Sequence, residues 1–309
     1  MNNVVGKKSM AKWMALVLGV TMALAAGCGN NQGSSGTGAA EATDATTTVD
    51  QGAAASGSAT ASVVPELPKE VKERGKLIVG VKVDYPPLGY LDESGNNTGY
   101  EPDVVRKMAE YAFGDPDAVE FVPVNATNRI PYLESKKIDF IAATLGVTEE
   151  RKKQLDFSTT FFDGGAVTVV KKDSGIKGIP DLAGKKVIVI KGSTGSTYLE
   201  ENVPTAEQIK IESNADAFRA FKDGRADALF HDAVLMTEFV KTNPEYTIVG
   251  EQVAFAPMAL GVRKNEPEML AFVNGALEQM RLEDYFKTLI EKYLPQAGDL
   301  DPMEMIPRP

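Results

Sequence analysis

Short apolar runs alternate with amphipathic segments along most of the chain, beginning near Lys76. Apolar runs without alternating polarity, such as 186–190, are typical of strands in a sheet that helices cover on both faces. The predicted strands are 76–83, 119–124, 139–143, 167–171, 186–190, 227–230 and 258–263. Apolar positions three and four residues apart predict helices at 102–113, 129–136, 196–202, 215–222, 233–241, 266–280 and 283–293. This alternation of strands and helices indicates the α/β class.

Two helix starts carry specific signals. Pro102 suits the first position of its helix, and Asn214 is expected to be the N-cap of the helix that buries Phe218 and Phe221. The last two helices are expected to pack back on the first part of the fold.

The strand–helix rhythm occurs twice, and the second series starts after the Phe- and Gly-rich segment 160–165. We therefore expect two lobes, each a mainly parallel sheet covered by helices, joined by crossings near 162–166 and 256–259. Lobe 1 is predicted to be 65–162 plus 258–309, and lobe 2 to be 163–257. Ligands in such sheets bind outside the carboxyl ends of the strands, so two facing lobes would enclose one cleft.

The N-terminus has the pattern of an export signal, with lysines before an uncharged apolar run over 13–26. The run is shorter than the roughly 20 residues of a membrane span, so 1–27 is predicted to be a signal peptide. The small residues before Cys28 resemble a bacterial lipobox, which implies lipidation of Cys28. An incidental cysteine after an ordinary signal peptide, or an uncleaved anchor, are the alternatives. Residues 28–64 are almost free of large apolar side chains and are predicted to form a flexible tether.

Composition excludes several classes of function. The chain has 309 residues and a net charge of −10, and it shows no basic stripe for nucleic acid. The single cysteine excludes an intrachain disulfide. No His/Cys spacing for zinc occurs, so neither a metal nor another cofactor is expected.

Three segments carry candidate chemistry at predicted strand ends. The small-residue loop 191–197 opens a helix and could approach an anion, or could be a plain turn. Arg151 follows Thr148 at a helical turn, where it could capture a carboxylate or pair with Glu149 or Glu150. Asp232 could accept hydrogen bonds from an ammonium group or cap the helix that follows it.

Together these segments make the chain similar to a known family. From Lys76 to Leu294 it resembles the type 2 periplasmic-binding-protein family, in the branch that serves polar amino-acid ABC importers. The matching blocks are 75–81, 85–87, 98–103, 129–133, 137–139, Thr148 with Arg151 and 156–158, and 224–227 with Asp232.

The resemblance implies a role for individual residues. Arg151 would hold the ligand α-carboxylate with the N–H groups of Gly146 and Thr194. Asp232 would hold the α-ammonium with the Thr144 hydroxyl and the Ala143 carbonyl, and Tyr85 would cover the ligand side chain. The predicted ligand-binding residues are Lys82, Tyr85, Arg129, Ala143, Thr144, Gly146, Arg151, Ser193, Thr194 and Asp232.

Two differences from other family members concern the substrate. Lys82 stands where members that bind cationic amino acids place an Asp, and Ala126 stands where many members place a stacking aromatic residue. The run 128–131, with Arg129, looks like the glutamate/aspartate-binding branch. We therefore expect an acidic amino acid, with a neutral polar one as the alternative. Lys82 could instead be an exposed lysine at a strand end, and Arg129 a salt-bridge partner within its lobe. Asn214 could approach the site, although the role of helix cap is favoured for it.

The function expected from the resemblance is capture rather than catalysis. The protein would be a monomeric, extracytoplasmic, lipid-anchored binding protein that delivers an amino acid to the membrane permease subunits of an ABC importer. A dehydratase of the same fold is one alternative, although His231 is expected to be a wall residue of the cleft. A receptor input domain is another, and it would need a membrane span and a signalling domain beyond Pro309.

Overall fold

The computed structural model describes residues 64–253 and 257–294. The predicted signal peptide, Cys28, the predicted tether except for Val64, and residues 295–309 lie outside the described residues. Among the helices that the structure describes, none is both long enough and apolar enough to cross a membrane.

The strands follow the predicted apolar runs closely, with several shorter strands between them. The strands are β1 Leu77–Val81, β2 Asp84–Tyr85, β3 Gly89–Leu91, β4 Asn97–Thr98, β5 Val119–Pro123, β6 Phe140–Ala142, β7 Leu155–Phe157, β8 Ala166–Lys171, β9 Lys186–Ile190, β10 Glu207–Ile211, β11 Ala228–Asp232, β12 Tyr246–Val253 and β13 Gly261–Arg263. The helices are α1 Lys69–Arg74, α2 Tyr100–Phe113, α3 Arg129–Glu134, α4 Glu149–Lys152, α5 Thr194–Asn202, α6 Asn214–Lys222, α7 Ala233–Thr242, α8 Pro267–Leu282 and α9 Tyr285–Tyr293, with a 3-10 turn at Ile179–Leu182.

Two five-stranded sheets form the two lobes of the fold. The first has the order β5-β1-β6-β13-β7 and the second β10-β9-β11-β8-β12. We call the part of the chain that carries the first sheet, 64–157 and 261–294, the first lobe, and 166–253 the second lobe. The predicted lobe boundaries fall within the two connections between these ranges, one of which includes residues outside the described set, and they stay a prediction.

Both sheets are mainly parallel, as predicted, and each contains one strand that runs against the other four. β1 runs parallel to β5 and β6, whereas β13 runs antiparallel to β6 and β7. In the second sheet β9 runs parallel to β10 and β11, and β8 is antiparallel to β11 and β12. The strands that reverse the direction, β8 and β13, each come directly after a connection between the lobes. The pattern of apolar residues does not mark which strand is reversed, so the sequence did not predict the reversal of β8 and β13.

The last two helices complete the first lobe, as the sequence predicts. Asp103 of α2 accepts hydrogen bonds from Lys292 at 2.7 Å and from the hydroxyl of Tyr293 at 2.6 Å, both in α9. Val104, Val105 and Met108 of α2 are fully buried in the same apolar core as Phe286 and Leu289 of α9. Residues from the far end of the described chain therefore hold the helix that lies beside the predicted site.

Two predicted helix starts are wrong. The N-cap of α6 is Ser213, whose hydroxyl accepts a hydrogen bond from Asp216 N–H, and Asn214 is the first helical residue. Ser and Asn are almost equally good caps, so the preference for Asn214 over the serine before it had no strong physical basis. Helix α2 begins at Tyr100, so Pro102 is its third residue rather than its first.

Candidate functional site

The predicted ligand-binding residues lie around one small cavity between the two lobes. Its volume is about 30 Å³. It is lined by Lys82, Tyr85, Ala126, Arg129, Thr144, Gly146, Arg151, Gly164, Ile190, Ser193, Thr194, Asn214, His231, Asp232 and Met258. Every predicted ligand-binding residue except Ala143 is in this set. Asn214 also lines the cavity, although the sequence favoured a helix cap over a place near the site for this residue.

Arg151 reaches from the first lobe to the second. The Thr148 hydroxyl caps the short helix α4 by accepting a hydrogen bond from Arg151 N–H at 3.2 Å. The Arg151 guanidinium donates to the carbonyl oxygen of Gly146 at 2.7 Å and to that of Gly192 at 2.9 Å. Partial burial lowers its pKa. The alternative pairing with Glu149 does not occur among the described residues, because Glu149 pairs with Lys152 instead.

Two backbone N–H groups near Arg151 are also available. Thr194 is the first residue of α5, and the hydroxyl of Ser193 caps this helix by accepting from Ser196 N–H at 3.1 Å. Within the described ranges, neither Gly146 N–H nor Thr194 N–H donates a hydrogen bond. Free N–H groups at the start of a helix favour an anion, so this side of the cavity is suited to a carboxylate.

Asp232 provides the negative side of the cavity. It lies at the end of β11 in the second lobe, and its carboxylate accepts a hydrogen bond from the hydroxyl of Tyr85 in the first lobe. Its side chain makes no capping bond to α7, so the alternative role as an N-cap is not observed. Burial, and then Asp232, raise the pKa of Tyr85, which therefore stays protonated as the donor.

A polar chain connects Asp232 to the first lobe by a second route. The backbone N–H of Asp232 donates to His231 Nδ1 at 2.6 Å, and His231 Nε2 lies 2.8 Å from Asn214 Oδ1. Asn214 in turn donates to Asp84. His231 is buried, as expected for a wall residue, and burial lowers its pKa.

Thr144 is held in an unusual backbone conformation by Glu101. Its φ is +49°, in the left-handed region that residues with a side chain seldom adopt. Its N–H donates to both carboxylate oxygens of Glu101, at 2.8 and 3.0 Å. Burial is the main cause that raises the pKa of Glu101 to about 7. The sequence did not identify Glu101, because an acidic residue in the first turn of a helix has an ordinary explanation.

Ala143 does not face the cavity. It is fully buried, and its carbonyl oxygen accepts a hydrogen bond at 2.6 Å from Arg129 Nη1. The same nitrogen donates to the carbonyl of Thr144 at 3.1 Å. Ala143 therefore orients Arg129 in this structure, since its carbonyl points at the guanidinium instead of the cavity.

Lys82 and Arg129 are buried cations. Each is only 3% exposed, so Lys82 is not the exposed lysine that the sequence left open. Burial, followed by the charge of Arg129, lowers the pKa of Lys82 to about 8. In the described part of the chain, the Lys82 ammonium forms no hydrogen bond or salt bridge, and Arg129 Nε is buried without a partner. Arg129 likewise makes no salt bridge with the described residues.

The site has no arrangement for a metal. Among the residues that the structure describes, no group of three or more His, Cys, Asp or Glu side chains could hold an ion. Its charges instead form two opposed sets: Lys82, Arg129 and Arg151 on one side, and Asp232 on the other, with free N–H groups near Arg151. This arrangement fits a small molecule that carries both signs of charge.

Comparison with known proteins agrees with this geometry. Residues 77–296 match the model of the bacterial extracellular solute-binding proteins, family 3. The chain is 33% identical over 236 residues to the ABC transporter glutamine-binding protein GlnH of Bacillus subtilis, covering 76% of this chain and 85% of that protein. It is 30% identical over 230 residues to the L-cystine-binding protein TcyJ of Escherichia coli K12, covering 74% of this chain and 85% of that protein.

A solved structure shows the same fold. The crystal structure of the cysteine-binding protein from Campylobacter jejuni superposes with a TM-score of 0.75 at 32% sequence identity, covering 78% of this chain and 98% of that one. The two-lobed type 2 periplasmic-binding-protein fold that the sequence predicts is thereby confirmed. The chain belongs to the bacterial extracellular solute-binding proteins of family 3.

Proposed function

We propose that this protein is the substrate-binding component of an amino-acid ABC importer and that it holds a free amino acid in the cavity between its lobes. One observation carries the proposal: Arg151 of the first lobe and Asp232 of the second face the same cavity. A cation and an anion so placed match the two charged groups of a zwitterion. The named relatives bind glutamine, cystine or cysteine, which supports capture rather than catalysis.

In this proposal each end of the amino acid has its own partners. The α-carboxylate lies against the Arg151 guanidinium and the free N–H groups of Gly146 and Thr194. The α-ammonium lies against Asp232, with the Thr144 hydroxyl beside it, and Tyr85 packs on the side chain. Charge-assisted hydrogen bonds of this kind contribute about 1.5–3 kcal/mol each. Because Arg151 and Asp232 belong to different lobes, a ligand bound to both holds the lobes together.

The lobes must separate before a ligand can enter. A cavity of about 30 Å³ has room for only a few water molecules. Arg151 and Tyr85 already bond across the lobes to Gly192 and Asp232. We infer a hinge motion about the two connections, with the ligand replacing these contacts on closure. The membrane permease subunits would then receive the ligand from the closed form.

We further propose that the ligand side chain is acidic, as in glutamate or aspartate. The support is the pair of buried cations, since the Lys82 ammonium has no partner among the described residues and one Arg129 nitrogen is also unpaired. A side-chain carboxylate would accept hydrogen bonds from these cations, whereas lysine or arginine would add a like charge. The second candidate is a neutral polar side chain such as that of glutamine, whose amide oxygen could also accept from these groups.

Calorimetric titration of the full chain tests both parts of the proposal. The ligands are glutamate, aspartate, glutamine, cysteine and arginine. We expect glutamate or aspartate to bind more tightly than glutamine, and arginine to bind weakly or not at all. Preference for glutamine over glutamate would establish the neutral alternative. Tight binding of arginine would contradict the charge argument, and no binding of any amino acid would contradict the proposed function.

The variant Lys82→Met isolates the charge that distinguishes the two candidates. Methionine has a similar length, so we expect affinity for glutamate to fall at least tenfold, about 1.4 kcal/mol, with glutamine affinity changed only a few-fold.

The pKa of Lys82 is lowered to about 8, so wild-type affinity for glutamate should also decline as the pH rises above about 8 and the ammonium loses its proton. The Lys82→Met variant should lack this decline. Equal losses for both ligands would contradict the role of Lys82.

The location follows from the same proposal. The family is extracellular, and the lipobox-like sequence before Cys28 supports attachment of the monomeric protein to the outer side of the cell membrane through a lipid. Palmitate labelling of the full chain, compared with a Cys28→Ser variant, tests this attachment.

A further inference from the structure

Asp84 is a charged residue at the cleft that does not line the cavity. It belongs to the short strand β2 of the first lobe, and its carboxylate accepts two hydrogen bonds from Asn214 of the second lobe. The backbone N–H of Asn214 donates at 2.8 Å and its side-chain Nδ2 at 3.0 Å. Asn214 is the first residue of α6, where the helix dipole adds to the attraction for a carboxylate. This pairing therefore joins the lobes without using a ligand-binding group of the first lobe.

The hydrogen-bond directions around Asn214 are fixed by its neighbours. His231 Nδ1 accepts from the N–H of Asp232, so the ring proton must lie on Nε2. Nε2 then donates to Asn214 Oδ1, which turns Asn214 Nδ2 toward Asp84. Asn214 is 1% exposed and His231 is 7% exposed, so water does not compete easily for these bonds. The chain Asp84–Asn214–His231 thus ends on the backbone of the residue that faces the ligand ammonium.

We propose that Asp84 and Asn214 form an interlobe latch that sets how much of the free protein is closed. Asp84 is then a positioning residue, since it affects ligand affinity without touching the ligand. The apparent dissociation constant equals the intrinsic one divided by the closed fraction, so a weaker latch lowers affinity in proportion. The effect on affinity rests on the proposed function, whereas the effect on closure does not.

Exchange of the two side chains tests the pairing directly. Asp84→Asn removes the charge and points an amide donor at the donors of Asn214. Asn214→Asp places two carboxylates together. The double variant restores complementary groups, because the amide now at position 84 can donate to the carboxylate now at position 214 and accept the backbone N–H of that position. The introduced carboxylate still accepts from His231. We expect each single variant to bind the amino acid about tenfold more weakly and the double variant to recover to within about threefold.

Closure is measured separately from binding by electron spin resonance distances. Spin labels on Glu134→Cys and Glu201→Cys lie on exposed positions of the first and second lobes, and Cys28→Ser removes the single native cysteine of the full chain. We expect the single variants to show longer distances without added amino acid and the double variant to return to the wild-type distribution. Asp84→Ser, which removes the carboxylate without adding an amide donor, replaces Asp84→Asn if that variant does not fold.

The outcomes separate the two proposals. Longer distances in the single variants and recovery in the double variant support the latch, even if no amino acid binds and the proposed function fails. Unchanged distances and affinities in folded single variants would overturn the latch, whether or not the wild-type protein binds an amino acid. A double variant no better than the worse single variant would also overturn it.

Discussion

At the scale of single residues, Glu101 supports the site without lining the cavity. It is 2% exposed, and both its oxygens accept the N–H of Thr144, a residue held in the left-handed region. A non-glycine residue in this conformation is strained and persists only where its surroundings hold it. Glu101 therefore stabilises the backbone that carries the Thr144 hydroxyl and that accepts a hydrogen bond from Arg129.

The raised pKa of Glu101 predicts a pH dependence of stability. Its pKa is about 7 in the folded protein and 4.5 without perturbation. The folded state therefore binds this proton more readily between these values, so the contribution of Glu101 to stability falls as the pH rises from about 4.5 to 7 and is constant above 7. Lys82, with a lowered pKa of about 8, changes stability only at higher pH. The two windows do not overlap.

Urea unfolding of the wild-type protein and of Glu101→Gln, at pH values from 4.5 to 8, measures this contribution. Glutamine can still accept the Thr144 N–H but cannot ionise. We expect the stability of the wild type, relative to the variant, to decline by up to about 3 kcal/mol across the window. Parallel pH profiles for the two proteins would show that Glu101 keeps its ordinary pKa in the fold.

The residues that the sequence identified and those that it missed differ in a physical way. Arg151 and Asp232 were identified through the resemblance to the binding-protein family, because the residues alone left each with an ordinary alternative, a surface ion pair for Arg151 and a helix cap for Asp232. For Asn214 the sequence favoured the role of helix cap over a place near the site. Ser213 caps the helix instead, which leaves the Asn214 side chain free for Asp84. Asp84 has no local signal at all, since its partner lies in the other lobe.

At the scale of elements, the loop between β9 and α5 is shaped for close approach of the lobes. Gly192 has a φ of +75°, and its carbonyl accepts a hydrogen bond from Arg151. A Cβ at this position would lie 3.3 Å from the carbonyl oxygen of Ala126 in the first lobe. Glycine is therefore needed here both for the left-handed backbone and for the contact across the cleft.

Gly192→Ala should weaken ligand binding by obstructing closure. Its matched control is Gly224→Ala, because Gly224 has a φ of +74° but nothing within 4 Å of an added Cβ. Both substitutions should cost about 1 kcal/mol of stability through backbone strain. Calorimetry with the preferred amino acid should show a loss of about tenfold or more for Gly192→Ala alone. Similar affinities for the two variants would mean that the Ala126 contact does not limit closure.

The elements that the sequence missed are mostly short or half-exposed strands. β10 and β12 lie at opposite edges of the second sheet, and neither shows the continuous apolar run of β9. An edge strand needs fewer buried side chains, so its pattern resembles that of a loop. β2, β3 and β4 form a separate small sheet of two or three residues per strand, too short for any periodicity. The buried strands and the long helices were predictable because their packing demands apolar residues.

At the scale of the whole molecule, three polar contacts between described residues join the lobes around the cavity. They are the hydrogen bonds from Tyr85 to Asp232, from Asn214 to Asp84, and from Arg151 to Gly192. Two of these contacts use groups that we assign to the ligand, and one does not. A bound amino acid can therefore replace two of these contacts with stronger, charge-matched bonds.

A ligand that binds both lobes must stabilise the folded chain as a unit. At about 100 times its dissociation constant it should add about 2.7 kcal/mol to the free energy of unfolding, seen as a higher melting temperature in a thermal-shift experiment. Arg151→Ala should abolish the shift for every amino acid, since it removes the carboxylate partner that all of them share. Lys152→Ala is the matched control, because Lys152 is the next residue of α4 and pairs with exposed Glu149. If Arg151→Ala kept a wild-type shift, the carboxylate of the ligand would have to lie elsewhere in the cleft, and the assignment of its two ends would be wrong.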